Sequence, residues 1–185
     1  MLRAEGADHP LARRLRDAGG AELGEVFAFV SSLYFRGKLA YARAFARPPQ
    51  GTAGIRVITP CDGLLPPEAA VSASHLERFA GVPVDAGEPR YAGPLLRDLR
   101  ELLPAWAAAE VVLLGSVASP KYADLIAPVL GDRLVFPSAF VGRGDMSRGG
   151  LMLRSVQEAR ELEYVPLAGA VRHGPRPARL EPIRK

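Results

Sequence analysis

The sequence predicts an α/β fold: a mainly parallel sheet of four to five strands, doubly wound with helices on both faces. Three observations carry that expectation. Short runs rich in Val, Ile, Leu and Phe alternate with longer stretches of helical period. The connections between runs are long enough for crossovers, which leave neighbouring strands parallel. Polar and glycine-rich segments follow the runs, and such sheets bind ligands beyond the carboxyl ends of their strands.

The elements follow in chain order. His9-Pro10, with Asp8 before it, caps a short helix from Pro10 to about Ala18, and Gly19-Gly20 ends it. Glu25 to Val30 is short, apolar and aromatic, and reads as the first strand. Leu33 to Ala46 carries an apolar stripe through Leu33, Phe35, Leu39, Ala42 and Phe45, so it reads as a helix. Ile55 to Thr59 is the second strand, and Asp62-Gly63 favours a tight turn after it. A short helix falls around His75 to Phe79.

Pro94 opens a helix with apolar Leu95, Leu96, Leu99, Leu102 and Leu103, and Pro104 breaks or restarts it before a core Trp106. Val111 to Gly115 is the third strand. Ser119-Pro120 is an N-cap and a first-turn proline for a helix to Leu130, with a kink expected at Pro128. Arg133 to Phe136 is the fourth strand. A glycine-rich loop, Gly142 to Gly150, follows it, then a helix from Leu151 to about Arg160 and a fifth strand at Glu163 to Leu167. The whole chain, 1–185, reads as one domain, with 1–23 as a helical extension and 172–185 as an irregular basic tail.

Composition narrows the class. Hydrophobic residues at 48% and charged residues at 24% are ordinary for a soluble globular chain. No apolar run approaches the roughly 18 residues that cross a bilayer, so no membrane partner is expected. Met1 to Gly6 lacks the apolar core of a signal peptide, which predicts a cytoplasmic protein. A single cysteine, Cys61, leaves no intrachain disulfide, and no two of His9, His75 and His173 have ligand spacing. No metal and no cofactor are therefore expected. The net charge of +4 is uneven: from Arg133 onward nine Arg and one Lys face five acidic residues, leaving that third at +5. Such a basic surface suits a nucleotide or nucleic acid, and equally a merely solvated face. The oligomeric state is open, a homodimer being one option.

The candidate site residues all fall after strands. Ser31, Ser32, Tyr34 and Arg36 follow the first; Asp62 the second; Ser116 and Lys121 the third; His173 the fifth. The loop after the fourth is the densest: Gly142, Arg143, Gly144, Asp145, Ser147, Arg148 and Gly149. Glycine lets backbone amides converge on an anion, a helix N-terminus adds partial positive charge, and two arginines complete an anion site. It is not a Walker A loop, because the Gly-Lys-Ser/Thr ending is missing. Asp145 and Asp62 are the candidate catalytic carboxylates, able to orient a water or a hydroxyl. Asp62 is equally a turn-former, and Asp145 equally a salt-bridge partner of Arg143 or Arg148. Cys61 lacks a recognisable base, and Ser119-Lys121 reads first as a helix cap.

One resemblance adds to these readings. Ile58 to Glu68, with His75-Leu76-Glu77 and Gly81 to Asp85, is similar to a strand-plus-loop segment of uncharacterised domains with the uracil-DNA-glycosylase-like fold; related segments occur in the archaeosine synthase C-terminal region. Leu33 to Ala42 is similar to the first helix of such domains. The resemblance implies a three-layer α/β/α sandwich and a link to nucleobases or RNA modification. The water-activating Gly-Gln-Asp-Pro loop of the glycosylases is replaced here by Val30-Ser31-Ser32-Leu33-Tyr34, and their His-Pro-Ser loop by Phe136-Pro137-Ser138. No catalytic residue carries over. The expected function is an enzyme acting on a nucleotide, nucleobase or nucleic acid, with a non-catalytic binding module as the alternative.

Overall fold

The computed structural model describes residues 9–106 and 108–180. It overturns the expected sandwich. About 50% of the chain is helical, and among the described residues the strands form three small sheets of two or three strands instead of one mainly parallel four- to five-stranded sheet. The three-layer architecture implied by the resemblance falls with it.

The chain opens with α1 (Pro10–Arg16), capped by His9, whose Nδ1 accepts the Leu11 N–H at 3.2 Å. Asp8 and 181–185 lie outside the described residues. A two-residue strand, β1 (Ala21–Glu22), leads into α2 (Leu23–Val30). This is the stretch expected as the first strand. Leu23, Val26 and Phe27 recur at i, i+3 and i+4, which is the helical period; Leu23 and Val26 are buried while Val30 is exposed. Reading from Glu25 hid that period, because Leu23 begins it.

Helix α3 (Ser32–Phe45) follows after a sharp junction at Ser32, whose φ is +50°. The second expected strand shrinks to β2 (Val57–Ile58), which pairs antiparallel with β3 (Leu64–Leu65) across the Asp62-Gly63 turn. Asp98 fastens that turn to the helix behind it by accepting the Leu64 N–H at 2.7 Å. β4 (Ala70–Val71) returns to pair antiparallel with β1. Then come α4 (Ala73–Ala80) and α5 (Pro89–Trp106). The long helix runs through both Pro94 and Pro104, and its Tyr91, Leu95, Leu99 and Trp106 are buried.

The last sheet carries what remains of the expected architecture. β5 (Val111–Val112) is parallel to β6 (Leu134–Pro137), and α6 (Pro120–Leu130) makes the crossover between them. All four residues of β6 are buried, as its uninterrupted apolar run predicts. β7 (Tyr164–Pro166) pairs with the other side of β6, but antiparallel. The helix before it, α7 (Asp145–Gln157), starts inside the expected glycine-rich loop. Only Val141 to Gly144 remains a loop.

Two hydrophobic cores result. The larger joins α3, α5, α6 and α7 to the β5–β6–β7 sheet around Tyr91, Phe136, Phe140 and Met152. The smaller gathers α1, α2, α4, β1 and β4 around Leu11, Leu15, Leu23 and Phe79. The stretch from Arg172 to Leu180 has no regular secondary structure and lies across the 141–144 loop. Among the described residues no helix is long and apolar enough to cross a membrane.

Candidate functional site

The site begins with two glycines. Helices α3 and α7 touch at Gly37 and Gly149: a Cβ on Gly37 would lie 2.6 Å from the Gly149 carbonyl oxygen, and a Cβ on Gly149 would lie 2.7 Å from the Leu33 oxygen and 2.8 Å from the Tyr34 Cα. Only residues without side chains allow backbones to approach so closely. The contact brings Tyr34 and Lys38, one turn apart on α3, against the first turns of α7. The loop after β5 and the start of α6 close the third side.

Arg148 is the buried charge of this edge, at 5% exposure. Its Nε donates to the Phe140 carbonyl at 3.3 Å, one terminal nitrogen donates to Asp145 Oδ1 at 3.3 Å, and its guanidinium carbon lies 5.7 Å from the Phe140 ring centre. A buried guanidinium needs such partners. Asp145 itself is largely exposed. Tyr34 donates to the Leu114 carbonyl at 3.4 Å. Burial pushes its hydroxyl up to about 12, against the downward pull of nearby Arg148. Tyr122 is raised too, by burial and then by the charge of Asp145. Both phenols therefore stay protonated.

Lys38 is the most perturbed cation. Its Nζ sits 4.0 Å above the Tyr34 ring. Burial lowers its pKa from 10.5 to about 8; Arg148 and Lys121 lower it further, and Asp145 opposes them. Lys121 lies at the start of α6 with its Nζ 5.1 Å from the Tyr122 ring centre. Three cations and one carboxylate thus gather at the carboxyl end of the parallel β5–β6 pair.

A cavity of about 310 Å³ opens beside Lys38. Phe35, Ile58, Trp106, Leu114 and Tyr122 help to line it, and Ser31 stands at its wall. A second hollow of about 420 Å³ continues past Gly54, Arg56, Val111 and Val112. Both follow the side of β5 that has no strand neighbour among the described residues. Arg56 lines both, and its Nε is buried without a hydrogen-bond partner.

Of the residues singled out in the sequence, Tyr34, Lys121, Asp145 and Arg148 come together here. Ser116 is half-buried in the loop after β5, while Ser31, Ser32 and Arg36 are exposed. Asp62 belongs elsewhere: it accepts from Arg78 at 2.7 Å, its N–H donates to Thr59 Oγ1 at 2.9 Å, and it lines neither hollow. Beside it the Cys61 thiol is pushed up, chiefly by burial and then by the Asp62 charge, which disfavours a thiolate.

The glycine stretch divides. Gly142, at φ +71°, packs on the backbone of Gly174 and Pro175. Gly144 caps α7, and the Arg148 N–H donates to the Gly144 oxygen at 3.0 Å. Gly149 and Gly150 lie inside the helix, so their amides are committed to its ladder. Arg143 is folded onto its own segment, donating to the Ala139 carbonyl at 3.0 Å and to Ser147 Oγ at 3.2 Å. His173 is exposed on the tail, next to Arg172, which pairs with Asp124 at 2.8 Å.

Sequence reasoning missed Lys38 and Arg56. Lys38 was legible as the i+4 neighbour of Tyr34, and as one of only three lysines in an arginine-rich chain. Arg56 gave no local signal. No protein-family model, curated protein or solved structure matches this chain.

Proposed function

We propose that this protein binds a nucleotide, or a phosphate of a nucleic acid, where α3, α6 and α7 meet, and acts on it there. The observation that supports this is the charge imbalance of the site: Lys38, Lys121 and Arg148 crowd together with Asp145 as the one carboxylate acting on Lys38. An anion between the two lysines relieves that crowding. The adjoining hollow has apolar and aromatic walls and the volume of a nucleobase with part of its sugar. Arg148 holds Asp145 from behind, and the exposed Asp145 carboxylate is free to orient a water or a ribose hydroxyl.

The test is direct binding of AMP, GMP, CMP, UMP and a short single-stranded RNA at two salt concentrations. Lys121→Ala is expected to weaken the bound ligand about tenfold, and its affinity is expected to fall with salt. Asp145→Asn separates an enzyme from a binding module: an enzyme loses release of base, nucleoside or phosphate while keeping the ligand. Absence of any nucleotide or RNA binding at physiological salt would overturn the proposal.

A further inference from the structure

Lys38 has a position that anion binding alone does not require. Of the two lysines it is the one that lines the apolar hollow, and its Nζ is held over the face of the Tyr34 ring. Among the described residues that line the hollow there is no Asp or Glu, and Asp145, the carboxylate that acts on Lys38, lies outside it. Ile58, Leu114 and Tyr122 wall the same space, and Lys121 stands at the neighbouring turn of α6. An amine placed so is desolvated, while a second cation marks where an anionic group would rest.

We propose that Lys38 is a nucleophilic amine that condenses with the aldehyde or ketone of a phosphorylated substrate, the open-chain form of a sugar phosphate being the chemical class. The nitrogen lone pair forms a C–N bond to the carbonyl carbon. The carbonyl π pair moves to oxygen, which takes a proton, giving a carbinolamine. The hydroxyl then leaves as water as the nitrogen loses its proton, and an imine remains. One carbonyl and one amine give one imine and one water, with no oxidant or reductant. The Tyr122 hydroxyl on the cavity wall relays to the departing oxygen the proton that the nitrogen gives up, and so ends the step protonated as it began. The depressed pKa of Lys38 leaves a substantial neutral fraction at physiological pH, as imine-forming lysines require. The inference rests on the anion site above only for the phosphate end of the substrate.

The experiment uses two aldehyde probes, pyridoxal 5′-phosphate and pyridoxal, followed by borohydride reduction and mass mapping of the full chain. The sequence simplifies it, since Lys38, Lys121 and Lys185 are the only lysines. Reduced adduct is expected on Lys38 at least tenfold faster than on Lys185, and with pyridoxal, which carries no phosphate, the rate is expected to rise with pH and level off above about 8. Lys38→Arg is expected to lose that adduct and leave slow labelling at the other lysines. Labelling of Lys38 no faster than Lys185, or preferential labelling of Lys121, would overturn the proposal. The two readings fail separately. If pyridoxal labels Lys38 as fast as its phosphate ester and inorganic phosphate does not compete, the imine chemistry stands and the anion site falls. If nucleotides bind but Lys38 stays unmodified, the reverse holds.

Discussion

Gly149 and Gly150 are neighbours on one helix, yet alanine at the two positions has opposite expected effects. In an open helix interior, Gly→Ala gains up to about 1 kcal/mol from reduced backbone entropy. Position 150 is such a site: a Cβ there meets only Leu180 Cδ1, at a comfortable 3.7 Å. At position 149 the new methyl would press on the Leu33 oxygen at 2.7 Å, the Tyr34 Cα at 2.8 Å and the Leu33 carbonyl carbon at 3.0 Å. All three are backbone atoms of α3, so no side chain can swing aside. Overpacking of that kind costs about 3 kcal/mol, which outweighs the propensity gain and leaves a net loss of about 2 kcal/mol. For a chain of this size the melting temperature should fall by about 4–8 °C in Gly149→Ala and rise by about 2 °C in Gly150→Ala. Thermal and urea unfolding, read by circular dichroism, measure both. Gly149→Ala as stable as the parent would refute the close crossing of α3 and α7, and with it the placement of Tyr34 and Lys38 against Arg148.

Other consequences are equally open to measurement. The depression of Lys38 from 10.5 to about 8 corresponds to at most about 3.4 kcal/mol by which the charged form destabilises the fold. Below about pH 8 the folded and unfolded states are both protonated and the penalty is complete; between pH 8 and 10.5 the unfolded state holds the extra proton, so stability rises with pH. Lys38→Met should therefore be more stable than the parent at pH 7 by up to that amount in denaturant unfolding, and the advantage should vanish near pH 10.5. Tyr41 is buried and accepts the Leu162 N–H at 2.8 Å while sharing a 2.7 Å bond with the Tyr164 hydroxyl. Tyr41→Phe leaves the Leu162 N–H without its partner, while the Tyr164 hydroxyl keeps its 2.9 Å bond to Glu161, and it should cost about 1–3 kcal/mol in the same assay. Asp62→Ala breaks a partly exposed pair with Arg78 and should change stability by less than about 1 kcal/mol, leaving ligand binding intact.

Elements fixed by their own composition were legible in the sequence. β6 is buried along its whole length and its apolar run is unbroken; α3 and α6 show the helical period, and Pro120 marks the start of α6. The fold class was not legible, because it turns on pairing. β7 was found near its place, but the sequence pattern cannot say that it runs antiparallel to β6. β2 closes on β3 instead of joining β5, which leaves β5 at a sheet edge beside the cavity.

The glycine stretch shows the difficulty most clearly. Gly142 serves a turn and Gly149 a helix contact, and the second role depends on Gly37, over a hundred residues earlier in the chain. The same crossing assembles the site. Lys121, Asp145 and Arg148 are legible as polar groups that follow strands; Tyr34 follows helix α2 and not the strand expected there, and Lys38 is hidden in what reads as a packing helix.

The most direct test of the cation cluster is the titration of the three lysines by carbon-13 NMR of labelled side chains, without and with inorganic phosphate. One resonance, absent in Lys38→Met, is expected to titrate near pH 8 and to move toward 10.5 when phosphate binds beside it. A Lys38 resonance that titrates near 10.5, or a low value that phosphate leaves unchanged, would contradict the site proposed for this protein.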